Sequence, residues 1–390
     1  MTTIEIILII FGLLSIYNFL LYPVILAILS KIIPVRINPV NMEQPEITFI
    51  IAAYNEESLI AGVIKSIRES DYPKNKINII IGSDGSTDKT NEIIENIAND
   101  DAGITLVVLG RGGKNRVLNT IVPMAKTEII LFMDVDVRLN KDTITNLIRY
   151  YVNDDIGAVI ASQKVVGDGS TVNAGSEGDS IYHKYEEYIR INESIIASNV
   201  NSLGYLYSIK KDLFIPIPND MVCDDLHNIY SVLRSKKRVI FALEAKAYEI
   251  RPKSLNNEYH RRIRAVAGGW ATIKYHSELL NIFKFGITAL FVWSHKIFRW
   301  LSPVFMIFLM IFTILTYDVN FNLFLFFIIP QLILYFSSFI GYIFEKMNMN
   351  TKIFRIFVFF VSMNYSSLLG LFRFLSRQQN AIWSRDGFKN

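Results

Sequence analysis

Two aspartates separated by one residue, Asp134 and Asp136, follow directly on the apolar run Ile129-Ile130-Leu131-Phe132-Met133. A run of that length, rich in Ile and Phe, predicts a strand buried on both faces of an α/β sheet. Such a strand cannot hide two unpaired carboxylates, so they belong at its carboxyl end, where open α/β sheets bind ligands. Alternate residues of a strand share a face, which points both side chains the same way. Paired carboxylates there offer hard oxygen donors to Mg2+ or Mn2+, ions that commonly hold substrate phosphates. Acids that merely cap a following helix are the plain alternative.

Four other clusters carry reactive groups. Asp224-Asp225, after Cys223, opens a helical pattern, where two carboxylates also suit a capping role favoured by the helix dipole. Ser83-Asp84-Gly85-Ser86-Thr87-Asp88 closes a predicted strand and could be a turn that caps the next helix. Its spacing with Glu95 hints at a calcium loop. Lys89 stands where that loop needs glycine, however, and a strand stands where its entering helix belongs. Lys114 follows Gly112-Gly113 and can approach phosphate or sugar with little steric hindrance, or can be an ordinary solvated helix lysine. Arg261, Arg262 and Arg264 share one helical stretch, and a guanidinium fork pairs well with phosphate.

The elements that must position these groups alternate in type. Residues 47–53 predict a strand, followed by Asn55-Glu56-Glu57 and an amphipathic helix to Arg68. A strand over 77–81, a helix over 89–98 and a strand over 105–109 come next. The loop from Gly110 to Lys114 then leads into a helix carrying Asn119 and on to the strand with the paired acids. Strands alternating with helices imply parallel βαβ units and a doubly wound sheet rather than a barrel. Residues 138–222 are less regular, with a Gly/Ser-rich loop over 168–179, a charged aromatic helix over 182–193 and a short strand over 203–209. A helix to Leu233, a strand over 238–242 and a helix over 259–270 complete this part.

Composition bounds the class. The chain has 390 residues, 51% of them hydrophobic, with the apolar excess at the two ends, too much for an ordinary soluble enzyme. The net charge of +4 comes without any basic stretch interleaved with aromatics, which excludes a nucleic-acid binder. The single cysteine excludes an internal disulfide and a multi-cysteine zinc site, and suits a reducing compartment. Residues 4–33 are long and apolar enough to span a bilayer, without the basic n-region or cleavage site of a removable signal peptide. Lys31 and Arg36 follow this segment while only Glu5 precedes it, so the chain beyond it is expected in the cytoplasm. Residues 34–46, with three prolines, form an extended connector. After residue 282 the chain turns apolar again. Residues 283–300 are patterned as an interfacial amphipathic helix, 302–317 and 321–344 as spans, and 353–375 as a third candidate. Three spans there would put the basic tail 377–390 outside the cytoplasm against the charge rule, which leaves room for one segment to be interfacial or re-entrant.

Together, Asn55-Glu56-Glu57, the Ser83–Asp88 loop, Asp134-Val135-Asp136 and Asp224-Asp225 with the later arginines resemble family 2 glycosyltransferases of GT-A fold. The resemblance covers roughly 45–275, and the flanking helices match the membrane-bound branch that includes cellulose, chitin and hyaluronan synthases. It implies a mostly parallel α/β sheet flanked by transmembrane and interfacial helices. The domains would be a transmembrane helix 1–33, a linker 34–46, a cytoplasmic catalytic domain 47–278, interfacial and transmembrane helices 279–376 and a tail 377–390. It further implies a metal-dependent site in which Asp136 ligates Mg2+ or Mn2+ and Asp134 assists through the metal or the donor. By the same resemblance Asp84 binds the nucleotide base with Ala53 and Glu56 lining the pocket, and Lys114 meets the donor. Asp225 takes the proton of the attacking hydroxyl, and Arg264, with Arg261 or Arg262, steadies the diphosphate unless those two meet lipid headgroups. Tyr182, Tyr185, Glu186 and Trp270, with the 202–207 strand, are expected on the acceptor side or as packing.

Two departures stand out. The family's Lys-Ala-Leu-Asn is replaced by Lys114-Asn115-Arg116-Val117-Leu118-Asn119. Its Gln-x-x-Arg-Trp becomes Arg261-Arg262-Ile263-Arg264-Ala265, and Trp270, five residues on, cannot simply replace the lost tryptophan. That weighs against long-chain processive polymerisation. The expectation is an inverting glycosyltransferase of the cell membrane, multi-pass, with its catalytic domain in the cytoplasm. It would move a sugar from a nucleotide donor, UDP-linked by expectation, to a saccharide or lipid-linked acceptor in envelope or extracellular polysaccharide synthesis. The rival readings are a processive synthase that extrudes its polymer, and a non-catalytic nucleotide-sugar-binding module serving a partner membrane synthase. The presence of Asp225 speaks against the second.

Overall fold

In the computed structural model the described residues are 1–35, 43–165, 175–202, 204–250, 255–347, 349 and 352–377. Most of the connector, residues 166–174 and residues 378–390 therefore lie outside them; the part of the expected 168–179 loop that is described, 175–179, is helical instead. The chain begins with α1 (Thr3–Ile16), a π-helical turn (Tyr17–Leu21) and α2 (Tyr22–Ile32). The α/β region then contributes eight strands to one sheet: β1 (Ile47–Ala53), β2 (Ile77–Asp84), β3 (Ile104–Leu109), β4 (Ile129–Met133), β5 (Val137–Leu139), β6 (Ile156–Val165), β7 (Leu206–Lys210) and β8 (Arg238–Glu249). Between them run α3 (Ile60–Arg68), α4 (Thr90–Asp100), α5 (Lys114–Ile121), α6 (Thr143–Ile148), α7 (Gly175–Ile196) and α8 (Asp224–Arg234).

The strand order is β3-β2-β1-β4-β7-β6-β8-β5. The first four strands are parallel, as the alternating pattern predicts. Beyond β4 the sheet becomes mixed, because β7 runs antiparallel to both β4 and β6 while β6 and β8 are parallel and β5 pairs antiparallel with β8. After β3 the chain crosses to the other side of β1 to lay down β4, so strand order reverses there. The carboxyl ends of β1 and β4 flank this switch point, where open sheets of this kind bind ligands.

Every residue of β4 is buried. Ile130 and Phe132 enter one apolar layer, with Val117 and Leu118 of α5 and Ile229 and Tyr230 of α8. Ile129, Leu131 and Met133 enter the opposite layer, with Ile60, Val63 and Ile64 of α3 and Ile144 and Leu147 of α6. Each fully buried aliphatic side chain contributes about 1.5–3 kcal/mol, so a strand of five such residues is held firmly in depth and register. The acids at its end are thereby fixed in place.

Among the described residues six more α-helices follow the sheet: α9 (Leu255–Tyr275), α10 (Ile282–Phe285) and α11 (Ile287–Phe291), then a π-helical turn (Val292–Phe298), α12 (Arg299–Leu315), α13 (Phe321–Lys346) and α14 (Lys352–Leu375). Among the described residues four helical stretches are long and apolar enough to cross a membrane: Thr3–Ile32, Ile287–Leu315, Phe321–Lys346 and Ile353–Leu375. Helices of this length and hydropathy mark a membrane protein. The stretch 283–300, patterned like an interfacial helix, instead continues into the second apolar stretch, and His295 and Lys296 are buried rather than turned outward. A polar stripe covered by protein and one facing headgroups look alike in sequence.

Candidate active site

At the end of β4 the chain turns through Asp134-Val135-Asp136 before β5. Val135 is buried and anchors the turn, while Asp134 and Asp136 are both half-buried, as strand alternation predicts. The Asp134 N–H donates to the Tyr205 carbonyl at 3.1 Å, and the Ile250 N–H to the Asp136 carbonyl at 2.8 Å, so neighbouring strands pin the turn at both ends. The guanidinium of Arg138 donates to the carbonyls of Val135 and Val137, at 2.9 and 2.7 Å, which stiffens it further.

The second acid pair comes from the other half of the sheet and meets the first through one lysine. Lys114 Nζ, at the start of α5, lies 3.0 Å from Asp134 Oδ1 and 3.0 Å from Asp224 Oδ2. Burial disfavours the lysine's charge, but the carboxylates of Asp134 and Asp224 outweigh it and raise its pKa. Burial, together with the negative charges of Asp136 and Asp224, pushes Asp134 up to about 6 against the pull of Lys114. Burial and the adjacent Asp224 likewise raise Asp225. The raised Asp134 and Asp225 show that these crowded carboxylates repel one another, and a further cation would relieve that repulsion.

Asp225 stands at the N-terminus of α8 beside Gly204. Gly204 has φ +77°, and a Cβ there would sit 3.2 Å from Asp225 Oδ2, so glycine serves both the backbone turn and the clearance around the carboxylate. The Cys223 thiol, half-buried with its Sγ 3.6 Å from the Ala265 carbonyl, is raised by burial and by both aspartates. A thiol held protonated in that way is packing, not a nucleophile.

Asp84 ends β2 and is buried, with a role the sequence did not signal. Its carboxylate accepts from Arg111, from the Gly112 N–H at 2.7 Å and from the Gly113 N–H at 2.9 and 3.0 Å. Arg111 lies over the Tyr54 ring at 3.6 Å. Asp84 therefore ties the glycine loop that carries Lys114 to the end of β2, and Arg111 links that loop to Tyr54, which follows buried Ala53 at the end of β1 and precedes buried Glu56 by two residues. Arg111 and Tyr54 were not expected in the site, although an arginine inside a glycine-rich loop was a readable signal. The Ser83–Asp88 loop does cap the next helix, with the Thr90 N–H donating to Asp88 Oδ1 at 3.0 Å. It also interlocks with the first motif, because the Thr87 N–H donates to Asn55 Oδ1 at 2.8 Å and the Lys89 N–H to Glu57 Oε2 at 3.1 Å.

The three arginines of α9 go separate ways. Arg261 lies 3.9 Å from Glu249 at the end of β8. Arg262 turns to α14, over the Phe359 ring at 4.8 Å and onto Met363. Arg264 adjoins the Ala265 carbonyl that receives Cys223, and its charge acts on that thiol. Of the residues expected on the acceptor side, Trp270 packs on Trp300 at 5.5 Å between ring centres. Tyr182, Tyr185 and Glu186 of α7 lie in the joint with the apolar helices, where Glu186 pairs with Arg299 and with Arg190 at 3.1 Å. The structure thus brings Asp134, Asp136, Lys114, Asp224 and Asp225 together, and leaves Tyr182, Tyr185 and Glu186 in a load of packing and ion pairs.

Among the described residues no three His, Cys, Asp or Glu side chains converge tightly enough to enclose a metal by themselves. Two carboxylates on one turn, among acids that raise one another's pKa, fit a hard divalent ion whose remaining ligands would come from a bound phosphate and water.

Residues 48–211 match the family model described as Glycosyl transferase family 2. A poly-beta-1,6-N-acetyl-D-glucosamine synthase of Staphylococcus epidermidis is 25% identical over 270 residues, 66% of this chain and 64% of that protein. A beta-monoglucosyldiacylglycerol synthase of a Nostoc strain is 30% identical over 118 residues, 30% of this chain and 25% of that protein. The match therefore spans less than two-thirds of the length of either relative. Among solved structures, a mannosyltransferase of Pyrobaculum calidifontis in complex with GDP-Man and Mn2+ shares the fold. The superposition has a TM-score of 0.72 at 19% identity and covers 96% of this chain and 100% of the other.

Proposed function

We propose that this chain, a membrane-bound family 2 glycosyltransferase of GT-A fold, transfers a sugar with inversion from a nucleotide donor to a saccharide or lipid-linked acceptor. The donor in this reading is UDP-linked, and the enzyme works at the cytoplasmic face of the cell membrane, multi-pass, in envelope or extracellular polysaccharide synthesis. The observation that carries the reading is the meeting of two acid pairs, from β4 and from α8, on one lysine at the sheet's switch point. The names of the two relatives, one a polysaccharide synthase and one a glycolipid synthase, support an acceptor of either class.

Each side chain then has a task. The base of the nucleotide lies against Ala53, Glu56 and the loop held by Asp84. Asp136, assisted by Asp134, holds Mg2+ or Mn2+, which when bound supplies positive charge to the diphosphate. Lys114 and Arg264 bring further positive charge to the departing oxygens, with Arg261 as a second guanidinium at the rim. Asp225 accepts the proton of the acceptor hydroxyl as its oxygen forms a bond to the anomeric carbon. The bond from that carbon to the diphosphate oxygen breaks on the opposite face, and nucleoside diphosphate leaves. A raised pKa suits Asp225 to this work, because a base shifted towards the working pH receives a proton more readily.

Release of nucleoside diphosphate by purified protein in nanodiscs, across a panel of UDP- and GDP-sugars with Mn2+ or Mg2+ and membrane extract as acceptor, tests this directly. Release with one donor and a product one sugar larger is the expected result. A high-molecular-weight product would replace single transfer with processive synthesis. Binding of nucleotide without turnover under every donor would overturn the catalytic reading in favour of a module for a partner synthase.

A further inference from the structure

Two of the long apolar stretches join the α/β domain at one place. The first, Thr3–Ile32, leads into Val35. The Val35 N–H donates to the Ile195 carbonyl of α7 at 2.8 Å, and its carbonyl accepts from the Arg238 guanidinium at 3.3 and 3.4 Å. The second, Ile287–Leu315, is entered through α10 and a turn at Gly286, where φ is +56°. Between these junctions lies a cavity of about 320 Å³. Val35, Phe285 and Thr288 line it from the two junctions, and Ile196 and Leu233 from the ends of α7 and α8. Both stretches pass here from membrane-length apolar helix to folded domain, which sets the cavity at the level of the lipid headgroups.

Among the described residues the charged lining of this cavity is wholly basic: Lys236, Lys237, Arg238 and Lys284. A helix C-terminus attracts lysines without any ligand, and Lys236 and Lys237 follow α8. Yet carbonyls of the last turn are already met by backbone. The N–H groups of Ser235, Lys236 and Lys237 donate to the carbonyls of Ser231, Leu233 and Val232 at 3.3, 3.0 and 3.4 Å. The Lys236 side chain is exposed and has no hydrogen bond or ion pair among the described residues. Lys237 Nζ donates to the Asp154 carbonyl at 2.9 Å, and Arg238 donates to the carbonyls of Ser194 and Ala197 at 2.7 and 2.6 Å. Lys284 pairs with Glu278 at 2.6 Å, but Arg234 meets the same carboxylate. Even with Glu278, Asp154 and Asp155 counted, cations outnumber carboxylates here.

Beside these cations stand uncovered apolar side chains. Phe283 is 102% exposed, Ile32 68% and Val35 51%. Cations at headgroup level with bare apolar neighbours match the two halves of a phospholipid, its phosphate and its acyl chains. A free anion would leave the apolar half without a reason. We propose that this cavity binds the headgroup of one anionic phospholipid from the leaflet next to the domain, with Lys236, Lys237 and Lys284 on its phosphate and Ile32, Val35 and Phe283 along its chains. The site is separate from sugar transfer. It lies past the C-terminal end of α8, whereas Asp225 lies at the other end of that helix, eleven residues or about 16 Å long.

Native mass spectrometry of the full chain, released from mild detergent, tests the assignment with phosphatidylglycerol and phosphatidylcholine of identical acyl chains. One phosphatidylglycerol is expected to be retained in preference to phosphatidylcholine. Lys236→Gln with Lys237→Gln should cut that preference by about 30-fold and Lys284→Gln alone by about 5-fold, the scale of one lysine at an anionic surface per substitution. Lys65→Gln with Lys74→Gln removes as much charge from exposed positions away from the cavity and should leave the preference unchanged. No preference in the parent, or an equal loss in this last variant, would overturn the site. Displacement of the lipid by an equal concentration of inorganic phosphate would overturn a membrane lipid as its occupant. A readout that needs no variant is thermal unfolding of the parent, which phosphatidylglycerol should raise above the value in phosphatidylcholine. Equal unfolding temperatures in the two lipids would also overturn the proposal.

Discussion

Two ionic clusters in this protein invite comparison, one half-buried at the carboxyl ends of the strands and one buried in the joint between α7 and the apolar helices. In the joint, charges are matched. Glu186 meets Arg299, Arg190 at 3.1 Å and His295 at 3.3 Å, and Glu193 accepts from the Tyr22 hydroxyl at 2.6 Å and lies 2.8 Å from His295. Burial alone would raise Glu186, but Arg299, His295 and Arg190 outweigh it and hold the carboxyl well below its usual range. At the strand ends, Asp134, Asp136, Asp224 and Asp225 gather around Lys114, and burial with mutual repulsion raises Asp134 and Asp225. A cluster that neutralises itself is glue. A cluster whose acids still repel one another gains from a further cation.

The comparison breaks or sharpens under substitution. The largest effect is expected from Asp136→Ala, which removes a metal-binding carboxylate; transfer should fall by about 10³-fold or more, with metal-dependent nucleotide binding lost in calorimetry. Lys114→Met leaves the four acids facing each other without their shared cation. Turnover is expected to drop by about 10²-fold, the scale of removing one fixed positive donor from a charged transition state. Glu186→Gln addresses the joint. It should lower stability by about 3–5 kcal/mol, because Arg299 and Arg190 lose their buried counter-charge, while turnover per folded molecule changes least of the three. Thermal unfolding measured beside nucleoside diphosphate release separates the two quantities. If Glu186→Gln abolished turnover without loss of stability, the joint would belong to the site.

Much of the site was readable in the sequence because it hangs on local patterns. The strand over 129–133 had to be buried on both faces, and that alone put Asp134 and Asp136 at a strand end on one side. The parallel half of the sheet followed from alternating strands and helices. Other features depend on long-range pairing that no local pattern encodes. β6 carries Ser162, Gln163 and Lys164 in its second half, and β5 has three residues held by β8, so 138–222 showed no clear strand period. The strand expected over 238–242 continues to Glu249 for the same reason, since its second half pairs with β5 and β6. Lys114 as the bridge between two acid pairs joins residues 110 positions apart, and Asp84 as the anchor of a glycine loop required a side chain's direction, not its type. The inward turn of His295 and Lys296 was hidden because protein and headgroups reward the same polar stripe.

Asp225→Asn in the full chain, followed by both nucleoside diphosphate release and metal-dependent nucleotide binding, tests the central claim most directly. The substitution keeps the shape of the side chain and removes its capacity to take a proton. Transfer is expected to fall by about 10²–10⁴-fold, with nucleotide affinity within a few-fold of the parent. Turnover retained near the parent rate would contradict Asp225 as the base and, with it, the assignment of the strand-end cluster as the site of sugar transfer.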